Sequence, residues 1–166
     1  PTTVLEQTVA RIRKLDESTE GENAQDVADA IRDIVQDHAG VFRTTELLEK
    51  GVKEILAIEP RVRNILLKDK SKVFNTARVE ALEVENLYEV AKATLISAAA
   101  RKECRGAHTV VDFELPPDHP TYSYGRRDDE WMKHTLWFSS DNRLEYKPVR
   151  YKPLSVQAIP PKPRTF

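Results

Sequence analysis

Eight of the ten prolines lie beyond position 115, and Pro60 alone interrupts the residues between Pro1 and that point. Proline removes a backbone donor and its ring collides with the preceding helical turn. A stretch nearly free of it can therefore run as long helices, and a stretch dense in it cannot. The chain divides at about Glu103 to His108, and nine of its twelve aromatic residues also fall after position 103. The expected fold class is mainly α: a three- to four-helix antiparallel bundle, up-down and spectrin-like, over 1–103. A loop, a small β-hairpin and an extended Pro-rich tail follow over 104–166. The tail is expected to pack on the bundle, so that the two parts form one structural domain.

The apolar spacing supports this division. Thr3-x-x-Glu6 has the form of a capping box, and Val4, Leu5, Val9, Ile12 and Leu15 follow at helical intervals. Gly21 and Asn23 separate a second helix, in which Val27, Ala30, Ile31, Ile34 and Val35 share a face and Gly40 supplies the stop. A third is expected from Thr44 or Thr45, with Leu48, Val52, Ile55, Val62 and Ile65 keeping one register across a kink at Pro60, two shorter helices being the alternative. The fourth and longest is expected from Ala77 to about Lys102, roughly 39 Å at 1.5 Å per residue. Leu82, Leu87, Val90, Ala91, Leu95 and Ala98 would form its buried side, with Asn86 beside it needing a hydrogen-bond partner. Farther on, Thr135–Phe138 and Leu144–Val149 read as hairpin strands. The spaced prolines after Pro148 read as an extended run over another surface.

Composition removes several classes of function. A chain of 166 residues can bury about 70% of its unfolded surface without staples, and one cysteine makes no internal disulfide. With 26 basic against 27 acidic residues and a net charge of -1, the chain lacks the excess that a dedicated nucleic-acid or anionic-membrane binder needs. The most apolar run, Ala93–Ala100, is far shorter than the ~18 residues of a membrane span. Pro1 stands where an initiator Met would, so the chain reads as a segment of a longer polypeptide.

Few residue patterns suggest chemistry. The five glycines are too dispersed for a dinucleotide-binding turn, and no His or Cys spacing suits zinc. Cys104 lacks a recognisable orienting group and reads as an inert thiol. Glu80, Glu83, Glu85 and Glu89 read as a solvated helix face. The densest polar cluster is Arg101-Lys102-Glu103-Cys104-Arg105-Gly106-Ala107-His108. Basic groups and a glycine suit a helix C-terminus, but two arginines, a glutamate and a histidine together exceed that need. Arg105 could grip a carboxylate from Glu103, another domain or a ligand. Arg126-Arg127-Asp128-Asp129-Glu130 reads as solvated charge, or as half an interface if Trp131 is anchored.

These residues resemble a known family: the C-terminal domain of the succinate dehydrogenase flavoprotein subunit, within the succinate dehydrogenase, fumarate reductase and L-aspartate oxidase superfamily. The family's Arg-x-Glu-Ser-Arg-Gly-Ala-His is matched at 101–108, with Cys104 for serine. Its Phe-Asn-x-x-Arg-x-Glu-x-Leu-Glu-x-x-Asn-Leu is matched by Phe74-Asn75, Arg78, Glu80, Leu82-Glu83 and Asn86-Leu87. Val41-Phe42-Arg43, Trp131-Met132-Lys133-His134-Thr135-Leu136, Leu144-Glu145-Tyr146 and the end Pro160-Pro161-Lys162-Pro163-Arg164-Thr165-Phe166 fit as well. The last segment and Lys133-His134-Thr135 favour the succinate dehydrogenase branch.

The resemblance implies that the full-length subunit oxidises succinate to fumarate at FAD and passes electrons to an iron–sulfur subunit. Such a subunit would be peripheral, on the cytoplasmic face of a bacterial inner membrane or the matrix side of a mitochondrial one. The family's flavin-linking histidine and dicarboxylate-binding residues precede the region resembled, so no catalytic, cofactor or metal residue is expected here. Arg101, Glu103, Arg105, His108, Trp131 and His134 become candidates for docking on an upstream flavin domain, on which the 104–166 region is expected to pack as well as on the bundle. Nucleic acid is not expected as a partner, and exposed docking surface could drive self-association in isolation. Rival readings are the same domain from a fumarate reductase or L-aspartate oxidase, a free-standing helical adaptor, and an enzyme using Arg105 and His108 on an anionic substrate.

Overall fold

A computed structural model describes residues 2–116, 118, 119 and 124–159 of the chain. Its helices are α1 (Thr2–Glu17), α2 (Ala24–Ala39), α3 (Thr45–Ala57), α4 (Glu59–Val62), α5 (Thr76–Ala100) and α6 (Asp128–Trp131). A 3-10 turn at Val111–Phe113 precedes α6, and the strands β1 (Lys133–Phe138) and β2 (Arg143–Pro148) follow it. The predicted terminal segment Pro160–Phe166 lies outside the described residues.

Three helix starts are set by side chains that satisfy orphan backbone donors. Asn23 accepts from the Gln25 N–H at 2.8 Å, Thr44 from Leu47 at 3.1 Å and Asn75 from Arg78 at 2.8 Å. At α1 the capping-box expectation is corrected. The helix already begins at Thr2, so Thr3 has helical backbone and cannot take the extended conformation of a cap.

Helices α2, α3 and α5 pack pairwise around a core that includes Val27, Ile31, Leu48, Ile55, Leu95 and Val110. Gly51 sits where they converge. A Cβ there would lie 2.5 Å from His38 Cβ and 2.9 Å from Leu95 Cδ2, so only glycine permits this spacing. Helix α1 lies outside the three and is tied on mainly by polar contacts. Arg11 pairs with Glu85, Asp16 pairs with Arg78, and Lys14 Nζ donates to the Arg63 carbonyl at 2.8 Å. Leu15 packs against the core, whereas Val4, Leu5 and Ile12 of the predicted stripe are exposed.

Two further expectations are corrected. The single kinked helix gives way to the alternative of two shorter ones: α3 ends at Ala57, and α4 restarts with Pro60 in its first turn, where the missing N–H costs nothing. Ile65 then leaves helical geometry and forms a parallel bridge to Glu22, with the Leu66 N–H donating to the Glu22 carbonyl at 2.8 Å. On α5 the buried side is Ala81, Val84, Tyr88, Ala91, Lys92, Leu95 and Ala98. Leu82 and Leu87 are half-buried, and Val90 and Asn86 are exposed. Ala91, Leu95 and Ala98 are buried as expected, but in the first half of the helix the smaller Ala81 and Val84 face the bundle with Tyr88, which rotates the stripe away from Leu82 and Leu87. Gly40 does cap α2, but with extended rather than left-handed backbone.

The hairpin pairs antiparallel from Lys133↔Pro148 to Phe138↔Arg143 across the turn at 139–142. Buried Lys92 seats it on α5, its Nζ lying 4.6 Å from the Tyr88 ring centre and 5.6 Å from that of Trp137. Every residue from 150 to 157 is exposed, so this stretch of the tail lies off the bundle. Among the described residues no helix is long and apolar enough to cross a membrane.

Candidate functional site: the cluster after the long helix

Helix α5 stops at Ala100 because Arg101 turns extended, with its N–H returning to the Ala98 carbonyl at 3.2 Å. Arg101, Arg105 and the backbone of Arg127 then gather around one carboxylate. Glu103 is 0% exposed, and its two oxygens accept four hydrogen bonds. Oε1 takes Arg101 Nη1 at 2.5 Å and Arg105 Nε at 2.7 Å. Oε2 takes the Arg127 N–H at 2.8 Å and Arg105 Nη2 at 3.1 Å. A buried carboxylate is tolerable only when paired and fully hydrogen-bonded, and here it is both.

The two arginines extend the network in opposite directions. Arg105 Nη2 also reaches Asp128 Oδ1 at 2.6 Å, while Arg126 holds the other Asp128 oxygen at 2.9 Å. Burial works against the Arg105 charge, but its hydrogen bonds to Glu103 and Asp128 outweigh that and raise its pKa. Arg101 donates to the carbonyls of Trp131 at 3.1 Å and Lys133 at 2.7 Å, and to Thr135 Oγ1 at 3.3 Å. Its guanidinium lies 5.1 Å from the Trp131 ring centre, and Trp131 meets Tyr146 edge-on at 5.7 Å. Trp131 is thereby buried, and the charge run beside it is anchored inside the chain.

His108 closes the turn begun by Arg105, the two exchanging backbone hydrogen bonds at 2.8 and 2.9 Å. Its Nε2 faces the Arg101 carbonyl at 3.2 Å and its Nδ1 faces Arg43 Nη1 at 2.9 Å. An arginine only donates and a carbonyl only accepts, so the imidazole is neutral with its proton on Nε2. Burial pushes the His108 pKa down, and the Arg43 and Arg101 charges add to this against the Arg101 carbonyl bond. Cys104 completes the corner: its Sγ accepts from the Val110 N–H at 3.3 Å and donates to the Val110 carbonyl at 3.2 Å. That reciprocal pair is what a serine hydroxyl would make. Burial raises the thiol pKa, which keeps it protonated and supports an inert role. Gly125, at φ +75, lies so close that a Cβ would meet the Phe113 carbonyl at 2.1 Å.

The six predicted residues therefore divide. Glu103 and Trp131 are consumed inside the chain, and Arg105 is turned mostly inward. Arg101 and His108 reach the surface at a depression of about 390 Å³, lined also by Ser97, Lys133, His134 and Thr135. His134 is exposed there. Sequence reasoning missed Asp128 and Arg43 as members of the cluster. Asp128 stood in an apparently solvated charge run, and Arg43 lies 65 positions from His108, a separation no local pattern bridges. Asn86 instead lies at a separate groove between α2 and α5, lined also by Ala28, Val84, Leu87 and Val90.

Comparison with known proteins places this arrangement. Residues 28–166 match the family described as "Fumarate reductase flavoprotein C-term". The succinate dehydrogenase flavoprotein subunit of Rickettsia bellii is 40% identical over 98% of the chain and 26% of the relative. That of Coxiella burnetii is 35% identical over 96% of the chain and 25% of the relative. A structure of E. coli quinol fumarate reductase superposes with a TM-score of 0.76 at 27% identity, covering 96% of this chain and 26% of the other. The chain thus spans about a quarter of the length of the curated relatives it matches. It belongs to the succinate dehydrogenase and fumarate reductase flavoprotein family, as the C-terminal domain of such a subunit.

Proposed function

We propose that this chain is the supporting domain of a subunit that oxidises succinate to fumarate at FAD and hands electrons to an iron–sulfur partner. The observation that carries this reading is the Glu103 clasp. The most chemically suggestive residues of the chain are spent on each other, and they rigidify a corner whose surface depression is lined by His108, Lys133 and the exposed His134, with Arg101 at its base. Such an arrangement suits a docking face for the upstream flavin domain better than it suits catalysis. The succinate dehydrogenase branch is favoured by Lys133-His134-Thr135, and two similar relatives carry that name.

The flavin itself does not fit this chain. The glycines are scattered, and the sheet among the described residues is a single antiparallel hairpin, with no strand-turn-helix cradle for a pyrophosphate. The isolated chain is therefore inactive and flavin-free in this reading. The complete subunit would sit peripherally on the cytoplasmic or matrix side of the membrane that carries its complex. The test is to read the coding sequence upstream of Pro1 and assay succinate-dependent dye reduction by both lengths of protein. A dinucleotide fold upstream, with turnover by the long form alone, is expected. Turnover by the 166-residue chain, or a start codon directly before Pro1, would sink the proposal.

A further inference from the structure

The loop leading into α5 holds an aromatic side chain in a place that nothing among the described residues explains. Phe74 is 99% exposed and has left-handed backbone, φ +57, while Val73 beside it is 81% exposed. An L-residue with a bulky side chain avoids that conformation, and an apolar ring fully in water gains nothing from burial. Yet the loop around it is stapled down. The buried Asn75 side chain donates to the carbonyls of Asp69 and Ser71, both at 2.8 Å, while accepting from the Arg78 N–H at 2.8 Å. Asp69 accepts from the Ser71 N–H at 2.8 Å, and Arg78 Nη2 donates to the Ser71 carbonyl at 3.2 Å. Lys70 Nζ crosses to the Ser18 carbonyl at 2.8 Å and the Leu15 carbonyl at 3.2 Å, and Arg78 pairs with Asp16. The strain is thus imposed by a rigid frame, and the frame's effect is to project Val73 and Phe74 outward.

We infer that Val73 and Phe74 form a knob that seats in an apolar pocket on the upstream part of the same polypeptide. This rests on the reading of the chain as the C-terminal domain of a longer flavoprotein. Aromatic side chains on rigid supports are the usual anchors of interfaces. The occupant follows from how much of the polypeptide lies outside this domain. About three quarters of each relative's length is outside the matched region, and this chain is the C-terminal domain, so the upstream part is the largest body available to cover the knob. Lys68 and Lys72 flank it, exposed and without a carboxylate partner among the described residues, and an acidic rim on the receiving pocket would complement them.

The test uses the longer subunit. Phe74→Ala and Phe74→Gly are compared with wild type for the rate at which a protease releases the C-terminal domain, with His134→Glu as a probe of the other face. In the 166-residue chain, Phe74→Ala should shift the thermal midpoint by no more than about 2 °C, because the ring touches nothing there. In the longer subunit both Phe74 variants should speed release about tenfold, the glycine variant doing so although it relieves the left-handed strain. If His134→Glu speeds release and the Phe74 variants do not, the knob is refuted while the docking reading stands. If the wild-type domain is released as fast as an untethered one, the docking reading fails and the knob with it. A 166-residue chain that sediments as a dimer, and as a monomer after Phe74→Ala, would make a second copy the occupant and overturn the inference.

Discussion

His108 is a proton-sensitive pin. It is held neutral between Arg43 and the Arg101 carbonyl, and its pKa lies below the ordinary 6.5, chiefly through burial. The unfolded chain therefore takes up a proton near pH 6.5 that the folded chain refuses until the pH is lower. The stability His108 contributes is complete above that point and is lost as the pH falls through it toward the folded value. Urea midpoints measured from about pH 8 down to about pH 5 should fall for the wild type and fall less for His108→Gln. Equal slopes would mean that His108 does not carry the effect.

Among the elements, the packing of α3 into the angle between α2 and α5 turns on one missing methyl group. Gly51→Ala would place its Cβ 2.5 Å from His38 Cβ, and two helix backbones would have to move apart. The better helix propensity of alanine recovers less than 1 kcal/mol, whereas overpacking of this kind costs about 1–3 kcal/mol. Chemical denaturation should show a net loss; an unchanged or raised midpoint would show that the helices are more loosely held than described. The same crowding explains α5, whose alanines face the bundle while Tyr88 fills the space between them. Burial, with help from the charges of Glu59 and Glu89, pushes the Tyr88 pKa up to about 12.

Across the whole molecule, the Glu103 clasp couples the end of the bundle to α6 and the hairpin. Removing one partner of a buried, hydrogen-bonded charge costs about 3–5 kcal/mol, mostly by stranding the other. Arg105→Ala should therefore lower the thermal midpoint of this chain. In the longer subunit it should lower stability while leaving turnover per bound flavin close to wild type, because Arg105 points at Glu103 and Asp128. A fall in turnover with stability intact would instead place Arg105 against substrate or flavin.

How much was legible in the sequence depended on the range of the interaction. The starts of α2, α3 and α5 could be read because caps and apolar spacing act within one or two turns, and the hairpin because alternation is equally local. The resemblance at 101–108 located the cluster and the family. What the cluster does was decided by tertiary structure, since Glu103 meets Arg127 and Arg105 meets Asp128 only after the chain has folded back across more than twenty residues. The rotation of α5 and the extended path of Ile65 were likewise invisible. Periodicity records that apolar residues recur, but which of two apolar faces is buried is settled by how closely neighbouring backbones can approach, and that distance exists only in the assembled fold.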